Sequence, residues 1–310
     1  MIKLADLILA AALILVLSAA AVWCGARVGR RAGERVTVFF VATTIVLLGV
    51  FVLCLHGRLA LARLLPFSGV IVLGNWIPIG AGLLGGVVLG KGDVPRRRRI
   101  VLFVVLVVMG VFSLFRPMLR TTPPATDTWS ENGVCLQSNA ASCSACAAAT
   151  LLKHYRIESS EAEMSDLCLT NRQGTPTLGL YRGLALKTRN SSLAVRVVSS
   201  DVDTLLEEDT WPVLLLAELP DRDRRGADYA EQWGWTPGVG HAVVVFKRFA
   251  AGGFDVGDPM VGRELWTVED LRILWHGRGL RLVPRRASIP MVLGPLDELL
   301  VLLGPVFSAD

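Results

Sequence analysis

The chain has 310 residues, of which 52% are hydrophobic, and its formal net charge is +5 at pH 7. This composition is too apolar for an ordinary soluble protein and predicts membrane-spanning segments. Residues 1–120 carry 14 basic and 3 acidic residues, a net charge of +11, whereas residues 121–310 carry 18 basic and 24 acidic residues, a net charge of −6. The basic excess therefore belongs to the apolar part of the chain and gives no indication of nucleic-acid binding.

Four apolar runs predict an all-α transmembrane bundle in residues 1–120. They cover residues 4–23, 37–55, 66–90 and 100–119, and a helix that spans a bilayer needs ~20 apolar residues. The first run lacks a clean signal-peptide cleavage site and three more runs follow it, so we interpret it as an anchor. The third run contains Asn75 and Pro78 and is the one expected to be irregular.

Lysine and arginine residues are distributed unevenly over the predicted loops. Nine follow the first and third runs, and five lie on the opposite side. Because positively charged loops remain in the cytoplasm, this bias predicts a protein of the cytoplasmic membrane with both termini outside the cytoplasm. The orientation depends on there being four spans, since the loss of one would reverse it.

The rest of the chain is expected to form a linker at residues 121–130, one domain at residues 131–285 and an apolar tail at residues 286–310. Helices are predicted at 143–156, with Ser142 as N-cap, at 161–170, with Ser160 as N-cap, and from Thr175 onward. Strands are predicted at 194–198, 212–218, 241–247, 253–258 and 279–283. This order indicates an α+β domain. Residues 220–238 are expected to form a polar loop that either rims a cleft or is merely solvated. The tail is expected to form a helix that packs on the domain or lies at the membrane interface.

Gln137, Cys143, His241 and Asp258 have the chemistry of one catalytic site. Cys143 begins a predicted helix, and both the helix N-terminus and a nearby imidazolium favour a thiolate nucleophile. A carboxylate can hold the imidazole in one tautomer, and the turn near residues 249–250 places His241 roughly opposite Asp258. The Gln137 amide and the Cys143 backbone N–H are candidate donors for a developing oxyanion.

These residues resemble the bacteriocin-processing cysteine peptidases, papain-like enzymes that remove double-glycine leader peptides. The family pattern is a Gln, five residues and a Cys that opens a helix, followed later by a His-x-Val-Val strand and an Asp-Pro pair. The resemblance covers roughly residues 131–285 and implies a papain-like fold. It also implies Cys143 as nucleophile, His241 as base, Asp258 as orienting residue and Gln137 as oxyanion donor. The chain departs from the pattern at Ser144, where the family usually has Gly.

The resemblance also implies partners and a substrate. It points to a peptide or protein substrate and, because family members are often fused to ABC exporters, to a separate exporter; the lipid bilayer is the remaining partner. No cofactor is expected. His154 and His276 lack partners at metal-ligand spacing, and the phosphate-loop-like residues 85–91 lack the following Ser/Thr.

Two other functions fit the same residues. Cys143 and Cys146 form a C-x-x-C pair at a helix start, the pattern of a thiol–disulfide oxidoreductase, although no strand is predicted before the helix. The other alternative is a catalytically silent domain that binds peptides. Cys135 and Cys168 either form a disulfide, which an extracytoplasmic domain allows, or remain reduced.

Overall fold

A computed structural model describes residues 4–220, 224–250 and 252–285. The chain divides between Leu119 and Arg120 into two compact units. At the start of the second unit, the Arg120 guanidinium donates to the backbone oxygen and the carboxylate of Asp166, at 2.7 and 2.8 Å. The tail expected as a helix at 286–310 lies outside the described residues.

All the regular secondary structure described in the first unit is helical. The helices are α1 (Ala5–Arg31), α2 (Glu34–Cys54), α3 (Ala60–Leu64), α4 (Val70–Leu73), α5 (Ile77–Gly90) and α6 (Arg96–Phe115). Within the described residues, four segments are long and apolar enough to cross a bilayer: Ala5–Arg31, Glu34–Cys54, Val70–Gly90 and Arg96–Phe115. The first helix extends beyond the predicted end at residue 23, so Arg30 and Arg31 lie in its last turn and not in a loop.

Helices α1 and α5 pack with their backbones in close contact. A Cβ atom at Gly86 would lie 2.1 Å from the carbonyl oxygen of Val22, and one at Gly25 would lie 2.2 Å from the carbonyl oxygen of Leu83. Only glycine permits this approach. Small residues at helix–helix contacts are typical of helices that associate in a bilayer, where van der Waals packing replaces the hydrophobic effect.

The irregularity expected in the third apolar run lies between α4 and α5. The Asn75 side chain in this break donates to the backbone oxygen and the hydroxyl oxygen of Ser113 on α6, at 2.9 and 2.8 Å. Pro78 lies in the first turn of α5, where its missing N–H leaves no carbonyl unpaired. A break in an apolar segment is tolerated when its polar groups are satisfied inside the protein, as they are here.

Helices α2 and α6 leave most of their side chains uncovered. The buried residues are Thr37 and Phe51 on α2, and Gly110 and Leu114 on α6. Large apolar side chains elsewhere on α2 are open, with Phe39 at 74% exposure. Apolar surface of this extent marks a contact with lipid or protein and suggests that this unit associates with a membrane.

The second unit combines helices with one antiparallel sheet. Its elements are α7 (Cys143–His154), α8 (Glu161–Leu167), α9 (Thr177–Lys187), β1 (Leu193–Ser199), α10 (Val202–Glu208), β2 (Val213–Glu218), α11 (Arg224–Trp233), β3 (Gly240–Arg248), β4 (Phe254–Asp258), β5 (Gly262–Trp266), α12 (Val268–Leu274) and β6 (Trp275–Pro284). Over the described residues the sheet order is β1-β6-β2-β3-β4-β5. The α+β architecture predicted from the sequence is confirmed.

The five predicted strands and three predicted helices are present, and four further elements are added to them. These are α10, α11, β5 and α12. Residues 220–238 were expected to form a loop, and this prediction is wrong for Arg224–Trp233, which forms α11. The high proportion of charged residues in this stretch concealed the helix, because its apolar residues are too few to show a clear helical period.

Helix α7 lies in the core of the second unit. Every residue from Cys143 to Leu152 is buried, and seven of these ten residues are Ala, Ser or Cys. Small side chains let the helix pack closely against its neighbours on all sides, as expected of a helix without a solvent-facing stripe. At its N-terminal end this buried helix presents Cys143.

Candidate active site

Cys143 is the first residue of α7, and hydrogen-bonding groups in the first turn of the helix contact its sulfur. Ser142 occupies the predicted N-cap position, but its hydroxyl donates to the Asn139 carbonyl at 3.0 Å instead of capping the helix. The Ser144 hydroxyl oxygen lies 3.9 Å from the Cys143 sulfur, and the Ser144 backbone N–H also donates to that sulfur. These contacts favour negative charge on the sulfur.

His241 and Asp258 form a direct contact between strands β3 and β4. The His241 Nε2 atom lies 2.6 Å from Asp258 Oδ1, and the Asp258 side chain is fully buried. The predicted register would pair Gly257 with Ala242, but Gly257 is paired with Val244. This offset of two residues preserves the face on which each side chain lies, because side chains alternate with period two. The contact predicted from the sequence is therefore present, although the residues are not directly opposite.

Asp258 accepts two further hydrogen bonds. The Trp235 Nε1–H donates to Oδ2 at 2.7 Å, and the Met260 backbone N–H donates to Oδ1 at 2.7 Å. A buried carboxylate is stable only when its lone pairs are engaged by donors. Sequence reasoning did not identify Trp235, because nothing in the Gly234–Pro237 stretch distinguishes this tryptophan from a loop residue.

The protonation of Cys143 and His241 reflects their mutual contact. Burial raises the pKa of the Cys143 thiol, but the hydrogen bond and charge of His241 and the donors of Ser144 bring it below its ordinary value. Burial lowers the pKa of His241, whereas Asp258 and Cys143 raise it, with a net result of about 10. The arrangement therefore favours the thiolate–imidazolium pair over a neutral thiol beside a neutral imidazole.

Gln137 lies in a loop attached to the turn that follows Asp258. Its backbone N–H donates to the Pro259 carbonyl at 2.8 Å, and the next residue, Ser138, donates from its backbone N–H to the Glu161 carboxylate at 2.7 Å. The Gln137 Oε1 atom is buried and has no hydrogen-bond partner among the described residues. A buried amide oxygen without a protein partner has an acceptor available for a donor group of a ligand.

The remaining cysteines of the second unit differ from Cys143. A hydrogen bond with the Cys135 thiol, together with burial and the charge of Glu161, raises the pKa of Cys146. Burial raises the pKa of Cys168 to about 12. All of these cysteines are free thiols, which is the reduced alternative left open from the sequence. Cys146 contacts Cys135, whereas Cys168 lies against Leu180 and Gly183.

Glu264 on β5 is a second acidic group near Asp258 that sequence reasoning missed. Burial, reinforced by the negative charge of Asp258, raises the pKa of Glu264 to about 8. Its Oε1 atom accepts from the Trp266 indole at 2.9 Å, and its Oε2 atom is buried without a partner among the described residues. Glu264 is therefore neutral below this pH and adds no second negative charge beside the His241–Asp258 contact.

Comparison with known proteins finds a family match within the second unit. Residues 131–221 match the model of the Peptidase C39 family, which confirms the family predicted from the sequence. The matched range includes Gln137 and Cys143 and ends before His241 and Asp258. No curated protein matches the chain.

Three solved structures are similar to the chain over about half its length. A double-glycine motif protease from an AMS/PCAT transporter, solved in complex with the leader peptide, is 20% identical, covers 52% of this chain and 97% of its own, and has a TM-score of 0.39. The peptidase domain of Streptococcus ComA, a bifunctional ABC transporter of a quorum-sensing pathway, is 21% identical over 50% and 99% of the two chains, with a TM-score of 0.39. The peptidase domain of Streptococcus mutans ComA is 19% identical over 49% and 99%, with a TM-score of 0.33.

Proposed function

We propose that this chain, whose second unit is a cysteine peptidase domain of the Peptidase C39 family, is anchored in a membrane and cleaves a peptide substrate through an acyl-enzyme on Cys143. The observation that carries the proposal is the continuous set of contacts from the Cys143 sulfur through the His241 ring to Asp258. A lowered thiol pKa beside a carboxylate-bound imidazole is the arrangement of an activated thiol nucleophile.

The first half of the reaction forms the acyl-enzyme. The Cys143 thiolate attacks the carbonyl carbon of the scissile bond, and the electron pair of the C=O bond moves onto oxygen. The Gln137 amide and the Cys143 backbone N–H donate to this oxyanion. When the intermediate collapses, the C–N bond breaks and the His241 imidazolium gives its proton to the leaving amine. The products of this half are a thioester on Cys143 and a neutral imidazole.

The second half releases the acid product. Neutral His241 removes a proton from water, whose oxygen attacks the thioester carbonyl, and the same donors stabilise the second oxyanion. Collapse breaks the C–S bond, returns the electron pair to Cys143 and regenerates the thiolate–imidazolium pair. Asp258 keeps its position throughout and stabilises the imidazolium in each half.

The substrate and the partners follow from the resemblance at Gln137, Cys143, His241 and Asp258. We assign a peptide with a double-glycine leader as substrate and a separate exporter as partner. In this proposal the apolar first unit is the membrane anchor, and the distribution of Lys and Arg supports a peptidase domain outside the cytoplasm. Protease treatment of intact cells tests this placement: degradation of the second unit supports it, and protection until the membrane is opened contradicts it.

The contacts of Cys146 do not favour the oxidoreductase alternative. The Cys146 thiol interacts with Cys135 and Glu161, whereas the Cys143 thiol interacts with His241 and Ser144. An oxidoreductase pair would need the two thiols of the C-x-x-C motif to exchange with each other.

Cleavage of a synthetic peptide by the purified full-length chain tests the proposal. The substrate carries an apolar leader ending in Gly-Gly, and a matched peptide replaces Gly-Gly by Val-Val. We expect mass spectrometry to detect a single cut after Gly-Gly in the first peptide, and no cut with Cys143→Ala or His241→Ala. Cleavage that persists in both variants contradicts the proposed site. Absence of cleavage by the wild type while Cys143 still reacts with a peptide electrophile contradicts only the substrate assignment.

A further inference from the structure

Trp235 contacts both members of the His241–Asp258 pair. Its Nε1–H donates to Asp258 Oδ2 at 2.7 Å, and its ring centroid lies 4.3 Å from that of His241. Trp235 is only 4% exposed. It follows α11 directly and lies six residues before His241, so the segment predicted as a polar loop delivers a buried side chain to the site.

An aromatic cluster holds Trp235 in place. The Trp235 ring lies 5.6 Å from that of Trp233 and 6.0 Å from that of Trp266, and Trp233 stacks on Tyr229 at 4.7 Å. The Tyr229 hydroxyl in turn donates to the Asp270 carboxylate. Aromatic contacts of this kind stabilise a defined geometry beyond their area burial. The indole N–H therefore has little freedom to leave Asp258.

The hydrogen bond from Trp235 restricts how Asp258 can rotate. The Asp258 Oδ1 atom contacts His241 Nε2 and accepts a hydrogen bond from the Met260 N–H. The Oδ2 atom accepts a hydrogen bond from the indole N–H. Without the donor on Oδ2, only the two contacts on Oδ1 would restrain the carboxylate, and its second oxygen would be buried without a partner. The indole ring also covers the imidazole and keeps water from competing for the His241–Asp258 hydrogen bond.

We infer that Trp235 is a positioning residue of the peptidase site: it acts through Asp258 to hold the His241 imidazolium against the Cys143 thiolate. The inference rests on the proposed function. It assigns a role in catalysis to the segment before β3, which sequence reasoning left undecided between a cleft rim and a solvated loop.

The test measures how the alkylation rate of Cys143 by iodoacetamide depends on pH in the full-length protein. Within the described residues, the titratable and charged groups that interact with His241 are Cys143, Asp258 and Glu264. Loss of the Trp235–Asp258 hydrogen bond weakens the contact between Asp258 and the His241 imidazolium. Because the imidazolium stabilises the thiolate, thiolate formation should move to higher pH. For Trp235→Phe we expect a shift of ~0.5–1 pH unit, smaller than the shift caused by Asp258→Asn, since hydrogen bonds and neighbouring charges change a pKa by ~1–3 units.

Two controls separate positioning from general damage. Trp211→Phe removes an exposed indole–carboxylate bond outside the site, from Trp211 Nε1 to Asp209 Oδ1 at 2.6 Å, and should leave the profile unchanged. In the Asp258→Asn background, Trp235→Phe should cause no further shift, because its effect passes through Asp258. If Trp235→Phe fails to fold, benzothienylalanine at position 235 alone keeps the ring shape and replaces the N–H by sulfur.

The outcomes are distinct. The inference is overturned if Trp235→Phe, or the benzothienylalanine variant, has the pH profile of the wild type. It is also overturned if Trp235→Phe shifts the profile as much in the Asp258→Asn background as it does in the wild type. If Cys143 is alkylated with the same pH profile in the wild type and in His241→Ala, the proposed function is overturned, and this inference with it.

Discussion

The His241 Nε2 atom lies 2.6 Å from Asp258 Oδ1 although the two residues are not cross-strand partners, since Gly257 pairs with Val244. The ladder between β3 and β4 shifts register between Val245 and Lys247. This bulge changes the register by one residue, and the pairs beyond it are offset by two residues from a direct pairing of His241 with Asp258. An offset of two leaves both side chains on one face of the sheet. The His241–Asp258 contact therefore requires that both side chains lie on the same face of the sheet, and does not require that the two residues pair directly across the strands.

Replacing Asp258 by Asn should lower kcat/KM for a cleavable peptide by at least ~10²-fold, because a neutral amide does not stabilise the imidazolium and can fix the wrong tautomer. Asp255→Asn is the matched control on the same strand. Asp255 pairs with Arg263 at 2.8 Å and has no described contact with His241. Equal losses in the two variants would indicate damage to β4 and would argue against an orienting role for Asp258.

The reactivity of Cys143 should extend to lower pH than that of a free thiol. His241, whose pKa is raised to about 10, remains protonated across the neutral range and stabilises the thiolate there. In His241→Ala this support is absent, burial dominates, and thiolate formation should move to higher pH. The alkylation rate of Cys143 between pH 5 and pH 10 measures both profiles. Superimposable profiles would show that the imidazole does not activate the thiol.

Ser144 is a further determinant of the Cys143 pKa and stands where the resembling family usually has Gly. Its hydroxyl lies 3.9 Å from the sulfur, and it favours the thiolate. Ser144→Ala and Ser144→Gly should both move thiolate formation to higher pH, by less than His241→Ala does, because the imidazolium remains. An unchanged profile in both variants would remove the hydroxyl from the list of groups that stabilise the thiolate.

Substituting Gly86 by Ala should destabilise the membrane unit, since the added methyl group would lie 2.1 Å from the Val22 carbonyl oxygen. Overpacking typically costs ~1–3 kcal/mol. The melting temperature of the full-length protein in detergent measures the effect. Gly92→Ala is the control, because a Cβ atom there meets no atom within 4 Å. A Gly86→Ala protein as stable as the control would show that α1 and α5 do not pack this closely.

Much of the second unit was predictable from local signals. Ser160 accepts from the Glu163 backbone N–H as its capping spacing predicted, and the helix predicted to begin at Cys143 is present. Pattern and capping depend on neighbours in the sequence, so a single chain reveals them. His241 and Asp258 were also predictable, because one short hairpin connects them.

The parts that escaped prediction depend on contacts between distant segments. Trp235 lies between Gly234 and Thr236-Pro237, a context typical of turns, and its role arises only when Asp258 is 2.7 Å away. The contact of Cys146 with Cys135 depends in the same way on how the loop before α7 folds back onto the helix. Glu264 lies between Arg263 and Leu265 on the edge strand β5, and its burial beside Asp258 has no signature in the sequence.

The most direct measurement is labelling of the full-length protein with a peptide electrophile, a Gly-Gly vinyl sulfone, followed by intact mass. Wild type is compared with Cys143→Ala, His241→Ala and Cys146→Ala. We expect one adduct in the wild type and in Cys146→Ala, and none in Cys143→Ala or His241→Ala. Labelling of His241→Ala at the wild-type rate, or loss of labelling in Cys146→Ala alone, would contradict a His241-activated nucleophile at Cys143.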